Sequence, residues 1–206
     1  MIYVYAITHA PAPAVEALQG ASGAAVSTLA SRDLAAVFSP LAEEPEATPD
    51  ALWAHERVVE QVMAAQPVLP VQFGMTLAGE GALTDLLDER RTVFEELLAT
   101  VDGCVELSVR VRWIPPQTVA AGSGRQYLED RLQERRRADQ VHRPLAGLSR
   151  SSTSRSEPGL LAAAYLVPSE GVGPFTGRLE EIRDEHPTLD FSCTGPWPPY
   201  SFVGES

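Results

Sequence analysis

The chain has 206 residues, 44% of them apolar, and a formal net charge of −12. That length suits one large domain or two of about 100 residues, each able to bury a core. The charge excludes a general binder of nucleic acid or of anionic membrane, because both reward a basic surface.

The chain opens MIYVYAI, which reads as a strand and not as a leader. Ile2–Ile7 is apolar on both faces, as a central strand requires. AAVSTLA and LAAVFSP predict two strands around a turn at Ser31–Asp33. SPLAEEPEATPD follows as a surface loop, and Asp50 is the expected cap of a helix reaching about Gln66. Pro67 stops that helix. Val68–Phe73 is strand-like, and Pro70 confines it to an edge or a bulge. Leu83, Leu86, Leu87, Phe94, Leu97 and Leu98 predict one helix over Glu80–Val101, ended by Asp102–Gly103.

Val105, Leu107, Val109, Val111 and Trp113 alternate with polar residues, predicting a strand with one wet face. Pro115–Pro116 closes it, and a Gly/Ser/Thr linker leads to a charged helix from about Arg125. SRSSTSRSEPG (149–159) reads as a mobile, low-complexity stretch. LLAAAYLV (160–167), at eight residues the longest apolar run, predicts a buried strand and is too short to span a membrane. Pro174 is placed at the start of a helix carrying Phe175, Leu179 and Ile182, and Leu189, Phe191 and Cys193 alternate into a last strand. Cys104 and Cys193 form no CxxC, so two reduced thiols in a cytoplasmic protein are expected. The mixed order of elements predicts an α+β protein of two lobes, 1–103 and 104–206. The second reads as a modified ferredoxin-like (split βαβ) lobe with one strand missing or replaced, ending in a Pro/aromatic tail.

HERVVEQVMAAQPVLPVQFG (55–74), GRQYLEDR (124–131), AAYLVP (163–168) and TGPWPPYSFV (194–203) occur in this order. Together they resemble the gas vesicle accessory proteins F and L, the GvpF/GvpL family, over nearly the whole chain. Gln72 and Met75 depart from the basic residue and the Thr usual there, and the 138–158 segment is short for the family. The resemblance implies a protein needed to build gas vesicles, located in the cytoplasm and with the vesicle. It implies partners in the hydrophobic shell subunit and in other accessory proteins, and no enzyme activity, metal or cofactor.

Several segments carry two readings. Pro196, Pro198 and Pro199 hold Trp197, Tyr200 and Phe202 on a stiff polyproline-like segment. It either folds back as a lid over its own lobe or docks its aromatics in a partner's groove. VLPVQFG, with Val71 and Phe73, is either an inter-lobe seam or an edge that pairs with a strand of the shell subunit. The arginine-rich run containing Arg135 and Arg136 is either a solvated helix face or a contact for an acidic partner or for self-association. His55 falls on the apolar face with Leu52 and Val59, where a lone histidine reads as a satisfied core residue. The competing class is a small-molecule-binding or enzymatic ferredoxin-like protein, which requires His55, Glu56 and Gln72 to converge in a pocket. No GxSxG, P-loop or zinc spacing supports that class.

Overall fold

The computed structural model describes residues 1–15, 17–114 and 124–204. The predicted linker ahead of Arg125 lies outside the described residues up to position 123. The chain divides into two compact units. Met1–Gly103, joined by the chain end from Trp197, forms the first, and Cys104–Pro196 forms the second. The tail, expected with the second lobe, thus packs with the first.

In the first unit β1 (Ile2–His9) is central, as predicted. It pairs with β3 (Leu34–Pro40) on one side and with β4 (Val68–Pro70) and β5 (Thr76–Leu77) on the other. β2 (Ser27–Ser31) completes the order β2-β3-β1-β4. β4 ends that order, so Pro70 sits at the edge its missing donor demands. From Ile2 to Thr8 every residue of β1 is buried. Helix α1 (Pro49–Met63) covers one face through Val58, Val59 and Val62 against Tyr3, Tyr5 and Val37. Helices α2 (Glu80–Glu89) and α3 (Arg91–Val101) take the other face, burying Leu83, Leu87, Phe94 and Leu98.

Two local readings need correction. The cap of α1 is Thr48, whose hydroxyl accepts from the Ala51 N–H at 3.3 Å; Asp50 lies in the first turn, where its charge suits the helix dipole. The helix predicted over 80–101 is broken at Arg90, with φ −105° and ψ 15°. The seven-residue interval from Leu87 to Phe94 is two helical turns, so the apolar period runs through the break unaltered.

The second unit runs β6 (Cys104–Arg112), α4 (Gly124–Ala146), β7 (Ser151–Glu157), β8 (Leu160–Pro168), α5 (Val172–Glu185) and β9 (Asp190–Trp197). The sheet order is β7-β8-β6-β9, a β-α-β-β-α-β path with no strand missing. Residues 149–159 are therefore largely strand and not a mobile stretch. β7 pairs with β8 residue for residue from Ser151↔Leu166 to Glu157↔Leu160. Its Ser, Thr, Arg and Glu side chains leave no alternation to detect, because an edge strand is held by backbone bonds to its apolar neighbour. Leu107, Val109, Val111 and Trp113 of and after β6 pack with Tyr165 of β8, Val141 and Leu145 of α4, and Phe175, Leu179 and Ile182 of α5. The opposite side of β6 exposes Arg110 and Arg112 as predicted, but Glu106, beside the buried Leu166, is buried too.

The loop between β1 and β2 is pinned by Tyr5. Its hydroxyl donates to Ser39 Oγ at 2.9 Å and accepts from the Ala21 N–H at 2.9 Å. Gly20 rests on that hydroxyl, and a Cβ there would lie 1.9 Å from the Tyr5 oxygen. Gly20→Ala is expected to displace the ring, break both bonds and cost about 2–3 kcal/mol in urea denaturation, with the fold retained by circular dichroism. An unchanged midpoint would mean that the loop yields freely.

Candidate functional site

The site is built on α1. Its buried stripe is Ala51, Ala54, His55, Val58, Val59 and Val62, at helical spacing. His55 is only 3% exposed, so the core reading of this residue holds. Its Nδ1 lies 2.7 Å from the Tyr3 hydroxyl and its Nε2 lies 2.9 Å from the Val71 carbonyl oxygen. A carbonyl can only accept, so Nε2 carries the proton and Nδ1 accepts from Tyr3. The ring is neutral. Burial pushes its pKa down from 6.5 to about 4, and the bond to Val71 opposes only part of that shift. Tyr3 also accepts from the Gly74 N–H at 3.4 Å. Phe73 packs on the Tyr3 and His55 rings, with centroids 5.7 and 5.8 Å away. One imidazole thus joins β1, α1 and the 71–74 loop.

Glu56 turns the other way and meets the tail. It is half-buried and accepts from the Tyr200 hydroxyl at 2.9 Å. Burial raises its pKa, the Tyr200 bond lowers it, and the charge of Glu60 raises it again. Pro198 and Pro199 are buried, so the tail does act as a lid, but on α1 of the first unit. It is not a straight polyproline segment. Pro199 has ψ 55°, and the chain closes into a 3-10 turn over Tyr200–Phe202. The N–H groups that follow the prolines bond backwards, Tyr200 to the Pro198 carbonyl at 2.8 Å and Phe202 to that of Pro199 at 3.1 Å, and this bends the chain.

The first unit also shows apolar side chains to solvent. Leu52 is 46% exposed, Trp53 63%, Met75 41% and Trp197 37%. Leu52 and Trp53 precede Glu56 by four and three residues, which makes them its neighbours on the helix surface. They flank the point where Tyr200 is tied down. Sequence reasoning placed Leu52 on the buried face and overlooked Trp53. The available signal was that the stripe of small and β-branched residues is complete without them.

Of the residues singled out from the sequence, Trp197, Tyr200 and Phe202 lie in the tail on the first unit, with Tyr200 and Phe202 half-buried. Val71 and Phe73 are half-buried beneath the same region, and the Val71 N–H donates to the Tyr5 carbonyl at 2.9 Å. Arg135 and Arg136 are exposed on α4 of the second unit. His55, Glu56 and Gln72 do not converge: His55 is held by Tyr3 and Val71, Glu56 by Tyr200, and Gln72 is exposed. Among the described residues no group of three His, Cys, Asp or Glu side chains is placed to hold a metal ion, and no helix is long and apolar enough to cross a membrane. Cys104 is buried, and Cys193 is a half-buried thiol.

Residues 1–126 and 123–204 match the family described as gas vesicle synthesis protein GvpL/GvpF. The chain is similar to gas vesicle protein F2 of Halobacterium salinarum, at 30% identity over 98% of this chain and 91% of that one. Gas vesicle protein F1 of the same organism is 29% identical over 90% of this chain and 85% of its own. The crystal structure of the gas vesicle protein GvpF from Anabaena sp. superposes with a TM-score of 0.84 at 24% identity, covering 100% of this chain and 96% of that one, and shows that the fold is shared.

The buried imidazole sets a pH dependence. The unfolded chain binds a proton at His55 near pH 6.5, and the folded chain does so only near pH 4. Between those values the unfolded state holds more protons, so stability rises with pH and is lost as pH falls through the window. Glu56, with its raised pKa, acts in the opposite sense at the acid end. We expect His55→Gln to lower stability at neutral pH yet to lose about 2–3 kcal/mol less than the wild type on acidification across that window. Equal slopes of denaturation midpoint against pH in the two proteins would rule out a neutral buried His55.

Proposed function

The chain belongs to the GvpL/GvpF family of gas vesicle synthesis proteins, and from that membership we propose that it is an assembly protein that holds the hydrophobic vesicle shell subunit. The contact proposed is the exposed apolar surface of the first unit, Leu52, Trp53, Met75 and Trp197, with Tyr200 and Phe202 at its rim. The observation that carries the reading is Trp53, an indole left 63% exposed on α1 beside a tail that already covers part of that helix. Leu52, exposed beside it on the same helix, extends the indole into an apolar patch, and contiguous exposed apolar patches mark interaction sites.

Charge supports the same reading. The first unit holds sixteen acidic side chains against four arginines, the second twelve against twelve, so the whole net charge of −12 resides in the first. A complex with an oily subunit then stays dispersed through the repulsion between copies of its carrier. The protein works in the cytoplasm and with the growing vesicle in this proposal. Val71 and Phe73 act from below, holding the 71–75 loop against His55.

The test is a pull-down and a titration of the shell subunit with the full chain. Leu52→Ser/Trp53→Ser is expected to weaken binding by about tenfold or more, the effect of losing one aromatic hot spot, while leaving the thermal midpoint nearly unchanged. Undiminished binding by this variant, or no complex with the wild type at micromolar concentration, would refute the proposal.

A further inference from the structure

The face of the second unit's sheet turned away from α4 and α5 carries an open trough of about 510 Å³. Its floor is Ala162 and Ala164 on β8, and its walls include Ser108, Arg110 and Arg112 of β6 and Arg155 of β7. The register explains the placement. Ala162 sits opposite Arg110 on one side and Arg155 on the other, and Ala164 opposite Ser108 and Thr153. Directly paired residues share a face, so methyl groups lie between longer polar arms. Arg155 is held by Glu157 at 2.7 Å. Among the described residues no ion pair engages Arg110 or Arg112, and both are exposed. A cationic groove in a chain of net charge −12 calls for an anionic occupant.

We propose that this trough receives the acidic loop of a second copy of the same chain, the stretch Glu43-Glu44-Pro45-Glu46. Three observations commit the choice. The loop belongs to the unit that holds all the net negative charge, and its three glutamates are exposed. Arg110 and Arg112 repeat at about 7 Å along β6, the interval at which Glu44 and Glu46 repeat in an extended segment. The trough's Arg110 and Arg112 and the loop's glutamates are all exposed, so both surfaces are accessible to a second copy. Arginine forks and carboxylates are suited to such contacts, and the alanine floor lets a backbone approach the sheet. The two surfaces differ, so the contact is heterologous and propagates head to tail.

Sedimentation at several concentrations tests this with two full-length variants, R110E/R112E and E43R/E44R/E46R. The wild type at about 100 μM in ~50 mM salt is expected to show a mass above the monomer that rises with concentration and reverts in ~500 mM salt. Each variant alone is expected to associate at least about tenfold more weakly, because like charges now face each other. An equimolar mixture restores association, since each variant carries the partner surface the other needs, and this excludes misfolding as the cause of the loss. A wild type that stays monomeric in low salt, a face variant that associates as the wild type does, or a mixture that stays monomeric would each overturn the proposal.

Discussion

The first unit depends on what happens to the hydroxyls of its central strand. β1 is buried on both faces, yet it carries Tyr3, Tyr5 and Thr8. A buried hydroxyl without a partner costs more than a bond returns, so each must find a partner. Tyr3 is met by His55 of α1, Tyr5 by Ser39 and the Ala21 amide, and Thr8 by the Pro67 carbonyl at 2.6 Å and the Gln66 amide at 2.7 Å. Three polar atoms on one strand thus set the helix, the loop before β2 and the connection after α1. His55 extends the chain one step further, to the Val71 carbonyl. The outward side of α1, with Leu52 and Trp53, is therefore displayed on a frame that has little freedom left. A partner docking there would lose little entropy to ordering the helix.

Much of this was legible from residues alone, and the failures are informative. β1 declared itself because an uninterrupted apolar run needs cover on both faces. Pro70 placed β4 at an edge through its missing donor. His55 read as a core residue because it shares a helical face with valines. The readings that failed turn on information that period and composition do not carry. The break at Arg90 preserves the apolar phase. β7 owes its existence to the backbone of β8, so its own side chains say nothing of it. The tail was read from its prolines, which fix φ; the bend lies in ψ of Pro199 and in two bonds back to proline carbonyls. Its destination, Glu56, is 144 residues away in sequence, and no local pattern encodes such a contact.

In the proposed contact with the shell subunit, the charge around the exposed apolar residues discriminates between partners. Asp50, Glu56 and Glu60 lie on α1 with Leu52 and Trp53, against one Arg57. Asp50 and Glu56 each lie within about 6 Å of Leu52 and Trp53 along the helix axis, inside the Debye length of about 8 Å at physiological salt, so they act on whatever approaches. Two copies meeting indole to indole would bring these carboxylates face to face, and such a pairing is opposed. A hydrophobic partner without an acidic surface of its own meets no such repulsion and gains from burying the indole. This is discrimination by a penalty on the wrong partner. The same penalty acts on every symmetric contact between first units. It does not act on the proposed contact between unlike surfaces, the acidic loop of one copy with the arginines of another. A protein can in this way bar its oily face to itself and still bind itself elsewhere, because the two contacts answer to opposite signs of charge.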